Sequence, residues 1–319
     1  MLTNIVMILG GFFLLTKGAD YLVGGASSIA RKFGISALVV GLTVIAFGTS
    51  APEFFVNVIS AAGGNTAIAV GNVLGSNLAN ILLVLGITAM IAPLKLESST
   101  VWKEIPFTLL AAIMVLVFGS DVLLDGAIVN SISRIEGVAL LGFFLIFIVY
   151  TFGLREKTGE HPESQIEQMA FARSLFYTIG GLAALGVGGQ LVVAGATSVA
   201  SSLGVSDNLI ALTVVALGTS LPELMASVVA ARKGHQDLAI GNVVGSSIFN
   251  IFFVLSSSAI VAPLAFADAN ITDAVMVVFA TFGLFVSLFA GRKHVISKRK
   301  GALLVGLYFA YMLYVILRG

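Results

Sequence analysis

Apolar runs of about the length that crosses a bilayer recur along the whole chain, separated by short polar segments. Ten such runs fall near residues 2–30, 37–62, 66–92, 102–119, 134–153, 171–200, 207–231, 237–262, 272–290 and 301–317. None has the alternating pattern of a barrel strand, so each run predicts a helix whose backbone polar groups are satisfied within the segment. The chain therefore predicts an all-α membrane protein with ten transmembrane helices. The first run is too long for a cleavable leader, lacks a basic flank and leads directly into the second.

Composition sharpens this reading. Of 319 residues, 58% are hydrophobic and 10% charged, whereas a soluble domain carries roughly 25% charged residues. No cysteine is present, which excludes disulfide scaffolds, thiol catalysis and thiolate metal sites. The apolar content excludes intrinsic disorder. A net charge of +1 leaves no basic footprint for nucleic acid.

The basic residues are unevenly placed. With the N-terminus outside, the inner loops hold Arg31, Lys32, Lys95, Lys103, Arg155, Lys157, Arg173, Arg232, Lys233, Arg292, Lys293, Lys298, Arg299 and Lys300. The outer side keeps Arg134 and Arg318, with Lys17 inside the first span. This asymmetry predicts a multi-pass cell-membrane protein with both termini extracellular. The cluster from Arg292 to Lys300 reads as an ordinary cytoplasmic anchor. Residues 154–170, rich in Glu and basic side chains, read as a short cytoplasmic linker.

The chain also repeats itself at an offset of 170. Residues 41–53, GLTVIAFGTSAPE, align with 211–223, ALTVVALGTSLPE, with nine identities in thirteen. Residues 69–80, AVGNVLGSNLAN, align with 239–250, AIGNVVGSSIFN, with seven in twelve. The same offset pairs Gly25-Ala26 with Gly195-Ala196 and Ala92-Pro93-Leu94 with Ala262-Pro263-Leu264. Two homologous halves result, 1–153 and 171–319, each with five spans. Five is odd, so equivalent helices run in opposite directions. Such inverted-topology repeats are typical of secondary transporters, which bind substrate near the midplane between the repeats.

Each half carries one glutamate deep in an apolar span, Glu53 and Glu223. An ionised carboxylate costs several kcal/mol in hydrocarbon, so it must face a cavity or a partner. These spans offer no Lys or Arg, which leaves a bound cation or a proton. Two carboxylates balance one divalent or two monovalent ions. Pro52 and Pro222 precede the glutamates and cannot donate to the preceding turn. The break is expected to free carbonyls around Ala46, Thr49, Ala216 and Thr219, next to the hydroxyls of Thr49, Ser50, Thr219 and Ser220. All-oxygen donors suit hard cations such as calcium and sodium.

The second motif places Ser76 and Asn80 four residues apart on one helical face, and Ser246 with Asn250 likewise. Gly71, Gly75, Gly241 and Gly245 are expected to let helices approach closely. Asn72 and Asn242 read as helix-bonding residues outside the ion's first ligands.

GTSAPE and GTSLPE, each followed by GNxxGSxxxN, resemble the paired α-repeats of the sodium/calcium exchanger family within the calcium/cation antiporter superfamily. The resemblance covers essentially the whole chain. It implies exchange of calcium for sodium by alternating access, in which spans 1 and 6 slide across the rest once the site is occupied. It implies a calcium site made of the Glu53 and Glu223 carboxylates with backbone oxygens of Thr49 and Thr219. It implies sodium sites at Ala46, Ser76, Ala216, Thr219 and Ser246, sharing both glutamates. Asn80 and Asn250 match the polar position that ends the second motif. Members often carry Asp at one of these two, so this site has two carboxylates and no third. Proton/calcium exchangers have a different signature before their glutamates, so GTSxPE points to sodium. A proton-coupled exchanger and a calcium-selective channel are the alternatives; a hydrolase would lack a convergent base and nucleophile. The expected partners are the transported ions and the lipid bilayer, with no resident cofactor, nucleic acid or obligate protein partner.

Three smaller features complete the reading. Lys17 and Asp20, three apart, are expected to form a local ion pair. His161, His235 and His294 read as solvated loop residues. Asn270-Ile271-Thr272 matches a glycosylation acceptor by chance.

Overall fold

The computed structural model describes residues 2–153, 169–205 and 216–318. The long helices in it are α1 (Leu2–Phe33), α4 (Thr66–Ile91), α5 (Thr100–Phe118), α6 (Arg134–Gly153), α7 (Phe171–Ser202), α10 (Gln236–Val261), α11 (Asp268–Ser287) and α12 (Lys298–Arg318). These eight are long and apolar enough to cross a membrane, and α2 (Ala37–Thr49) with α3 (Ala51–Ala62) meets the same criterion as a pair, bent by 47° at the break. The chain is a predominantly helical, multi-pass membrane protein. The expected seventh span falls partly on residues outside the described set; its described part is α8 (Ala216–Thr219) and α9 (Leu221–Arg232). Residues 154–168 of the expected linker and His161 lie outside that set too.

The bend between α2 and α3 follows from the chain's covalent structure. Pro52 lies in the first turn of α3 and lacks an N–H, so the helix restarts at Ser50, whose backbone (φ −85°, ψ 2°) leaves the helical region. Ser220 has nearly the same backbone (φ −86°, ψ 3°) before Pro222. Pro52 and Pro222 cannot supply the helical donor four residues on from the carbonyls of Gly48 and Gly218. The Ala46 carbonyl, expected to be freed, accepts the Ser50 N–H at 3.0 Å.

Glycines set the helix spacing. On α1 and α7, Gly11 faces Gly188, Gly18 faces Gly181 and Gly25 faces Ser174. A Cβ added at Gly11 would lie 2.7 Å from the Gly188 carbonyl oxygen. The numbering rises on one helix as it falls on the other, so the two run antiparallel with a contact every seven residues. Gly241 and Gly245 of α10 likewise admit the backbone of α2 at Leu38 and Leu42. Among the described residues a Cβ at Gly71 or Gly75 would meet nothing within 4 Å; residues 208 and 212, which correspond to Leu38 and Leu42 at the offset of 170, lie outside that set.

Elements interlock across the chain. Strand β1 (Leu94–Lys95) pairs antiparallel with β4 (Val295–Ile296), and β2 (Ser131–Ile132) with β3 (Leu264–Ala265). Helix α12 packs on the end of α4, and α6 on the end of α10. The central helices are α10 and α4, with 94% and 78% of an 18-residue stretch buried. Both contain a π-helical segment, Ala79–Val84 and Asn250–Leu255, a local widening that recurs at functional positions.

Several small expectations change. Asp20 pairs with Lys233 of the α9 terminus at 2.8 Å, not with Lys17, because helix rotation turns Lys17 to an exposed position. His235 and His294 are half-buried rather than solvated; His235 occupies the N-cap position of α10 and His294 packs edge-on to Phe289. Asn270 is buried and accepts from the Ala267 N–H at 2.9 Å, so its side chain is committed to starting α11.

Candidate functional site

The two helix restarts put both glutamates in a first helical turn, Glu53 in α3 and Glu223 in α9. The partial positive charge of that end favours an anion. Each glutamate is 1% exposed. Among the described residues the salt bridges are Lys233–Asp20 and Arg318–Asp273, so neither glutamate has a basic partner.

Helix packing brings the halves together at this point. The π segment carrying Asn80 packs on α9, and that carrying Asn250 packs on α3. The Ser76 stretch of α4 packs on α8, and the Ser246 stretch of α10 packs on the Ala46–Thr49 end of α2. Each glutamate-bearing element thus meets the second motif of the other half. The Ser50 hydroxyl donates to Glu223 Oε1 at 3.3 Å, and the Thr49 and Ser246 hydroxyls lie 3.4 Å apart.

Much of this polar set has no protein partner. Glu53 Oε2, Glu223 Oε2, Ser76 Oγ, Ser220 Oγ and the amide oxygens of Asn80 and Asn250 are buried and unbonded. A buried polar atom without a partner costs about 1–3 kcal/mol, more when charged, so their concentration on the two repeated motifs points to a ligand. The donors are oxygens with two negative charges among them, which is hard-cation chemistry. Among the described residues no group of three His, Cys, Asp or Glu could hold a metal. What the described residues do bring together is a carboxylate pair supplemented by neutral oxygens.

The twelve residues expected at the site fare differently. Glu53, Glu223, Thr49, Ser50, Ser220, Ser76, Asn80, Ser246 and Asn250 are all buried on mutually packed elements. Thr219 is half-buried and engaged. Ala46 is buried in α2, and Ala216 opens α8.

Asn72 and Asn242 bond neighbouring helices as expected, and sequence reasoning missed only their partners Asn57 and Ser227. Asn242 accepts from the Thr49 hydroxyl at 3.1 Å and donates to the Glu223 carbonyl at 3.2 Å and to Ser227 Oγ at 2.9 Å. In the first half Asn72 donates to Asn57 Oδ1 at 3.2 Å. Asn57 and Ser227 lie one helical turn beyond the glutamates and correspond at the offset of 170. That spacing was the available signal.

Known proteins match this chain along nearly its whole length. The profile of the sodium/calcium exchanger protein family matches residues 3–153 and 173–317. CaxA of Alkalimonas amylolytica is 40% identical over 324 residues, covering 98% of each chain. The sodium/calcium exchanger MaX1 of Methanosarcina acetivorans is 32% identical, covering 97% of each. The solved structure of the sodium/calcium exchanger from Methanococcus jannaschii superposes with a TM-score of 0.83 at 33% identity, covering 98% of both chains. Full-length matches of this kind, together with both repeated motifs, decide the matter: the chain belongs to the sodium/calcium exchanger protein family.

Proposed function

We propose that this protein is a secondary antiporter that exchanges Ca²⁺ for Na⁺ by alternating access, with the ions held between two inverted five-helix halves, 1–153 and 171–319. The observation that carries the reading is the pair of buried carboxylates, Glu53 and Glu223, with unbonded oxygens and no basic partner among the described residues. One Ca²⁺ neutralises both, and so do Na⁺ ions, so the two cations compete for the same charges. Glu53, Glu223 and the Thr49 and Thr219 carbonyls take calcium; Ala46, Ala216, Ser76, Ser246, Thr219 and the shared glutamates take sodium. Ser50, Ser220, Asn80 and Asn250 supply further oxygens.

The inverted arrangement is supported by the α1–α7 seam. Gly11 meets Gly188 and Gly18 meets Gly181, and these residues exchange places under the offset of 170. Such reciprocity is what a two-fold axis between equivalent, antiparallel helices produces. The basic loops put both termini outside.

Calcium flux in vesicles under separately imposed sodium, proton and potassium gradients tests the reading. Uptake driven by an outward sodium gradient is expected. Uptake driven by a pH gradient and indifferent to sodium would establish the proton-coupled alternative, and calcium passage without any trans cation would establish a channel.

A further inference from the structure

The seam helices α1 and α7 do not sit midway between the two glutamate-bearing helices. Helix α1 packs along α9, whereas its counterparts under the repeat, α7 and α3, scarcely touch. In their place is an apolar cavity of about 820 Å³, lined by Gly48, Pro52, Phe55, Ile59, Leu182 and Gln190 among others. One face is shut and the other is parted.

The shut face carries a contact that the parted face lacks. Lys233 Nζ, at the end of α9, lies 2.8 Å from Asp20 Oδ1 and 3.3 Å from the Asp20 carbonyl oxygen on α1. Under the offset of 170, Asp20 corresponds to Gln190 and Lys233 to Gly63. Neither counterpart is charged. When the parted face closes and the shut face opens, the ion pair is lost and nothing equivalent replaces it.

We propose that the Asp20–Lys233 pair is a one-sided latch, which holds the α1–α9 face closed and weights the two access states of the transporter unequally. The proposal rests on the alternating-access reading above. A contact present in one state and absent from the other shifts their ratio by its own free energy. For a partly exposed pair that is about a two- to fivefold shift. The latch thus gives a pseudo-symmetric machine a resting side without touching the ion site.

The chain has no cysteine, so single cysteines report the state directly in the full protein in vesicles. Ser60 lines the cavity, and its counterpart Ala230, on the α9 helix that packs along α1, is 2% exposed. The ratio of maleimide labelling at Ala230→Cys to that at Ser60→Cys measures the balance. Asp20→Asn and Lys233→Gln should each raise this ratio by about two- to fivefold, and the exchanged pair Asp20→Lys with Lys233→Asp should restore it. Gln190→Asp with Gly63→Lys builds the mirror latch and should raise the ratio further in the Asp20→Asn background. An unchanged ratio in the single variants overturns the latch. So does a rise at Ala230→Cys that the mirror pair fails to extend, since that is local loosening. Failure of antiport itself reads out separately, as calcium flux indifferent to trans cations.

Discussion

The hydroxyl of Thr49 donates to Oδ1 of Asn242 across 3.1 Å, joining the broken helix of the first half to the second motif of the other. The same amide donates to the Glu223 carbonyl and to Ser227. One side chain therefore sets the position of a ligand-bearing turn on each half, without itself being among the expected ion ligands.

Asn242→Leu keeps the volume and removes all three bonds. It should free the Thr49 hydroxyl to turn to the Ile45 carbonyl 3.1 Å away, deprive Ser227 Oγ and the Glu223 carbonyl of their amide donor, lower stability by about 2 kcal/mol and weaken calcium binding. Thermal unfolding and the calcium concentration for half-maximal flux measure the two effects. An unchanged half-saturation would mean that Asn242 only packs.

Glu53→Gln and Glu223→Gln are nearly isosteric and remove one charge each. Calcium flux should be lost in both while each protein stays folded, because the site no longer neutralises a divalent ion. In the wild type, calcium at a hundredfold its dissociation constant should stabilise by about 2.7 kcal/mol, and chelation should reverse this. That calcium-dependent rise in Tm should vanish in both variants. Retained full transport in either would refute the assigned site.

Asn250→Asp restores a third carboxylate beside α3. In a buried site an added anion strengthens divalent binding, by about tenfold if 1.4 kcal/mol is gained. Calcium-dependent thermal shifts should move to lower concentration. A shift to higher concentration would place Asn250 away from the ion.

The glycine seam predicts sharp position dependence. Gly18→Leu drives carbon into the Gly181 carbonyl and Ala184, 2.9 and 3.0 Å from a Cβ, and should cost more than the 1–3 kcal/mol or so of ordinary overpacking. Gly10→Ala and Gly180→Ala meet nothing within 4 Å and should be neutral or stabilising by roughly 0.5–1 kcal/mol. Detergent-solubilised Tm values separate the two classes.

Arg318 holds Asp273 with two bonds of 2.7 and 3.2 Å, tying the end of α12 to α11. Arg318→Met leaves a buried carboxylate unpaired and should destabilise by about 1–3 kcal/mol. Adding Asp273→Asn should recover part of the loss, and a double-mutant cycle on Tm measures how much.

The glutamates and the second motif were legible because charge and polarity are conspicuous inside an apolar span: Glu53 or Ser76 in such a run has to serve something. The repeat was legible because both halves keep their motifs in register. Partner choice was not legible. Asp20 meets Lys233 rather than Lys17 because the rotation of α1, set by its glycine seam with α7, turns one toward α9 and the other outward. The closeness of Gly241 to the Leu38 backbone follows the same rule, since a glycine's neighbour is decided by which helix face packs against it.

By itself the sequence determined that this chain lies in a membrane, that its motifs occur twice, and that two carboxylates stand at corresponding positions of the repeat. Those are consequences of solvent transfer and chain order, which act on each segment separately. Only the tertiary structure decided that Asn242 braces Thr49 and Glu223, which buried oxygens stay unbonded, and which face of the molecule is shut. Apolar helix faces have nearly equal affinity for one another, so these outcomes turn on small side chains, backbone breaks and single ion pairs that act only once the helices are packed.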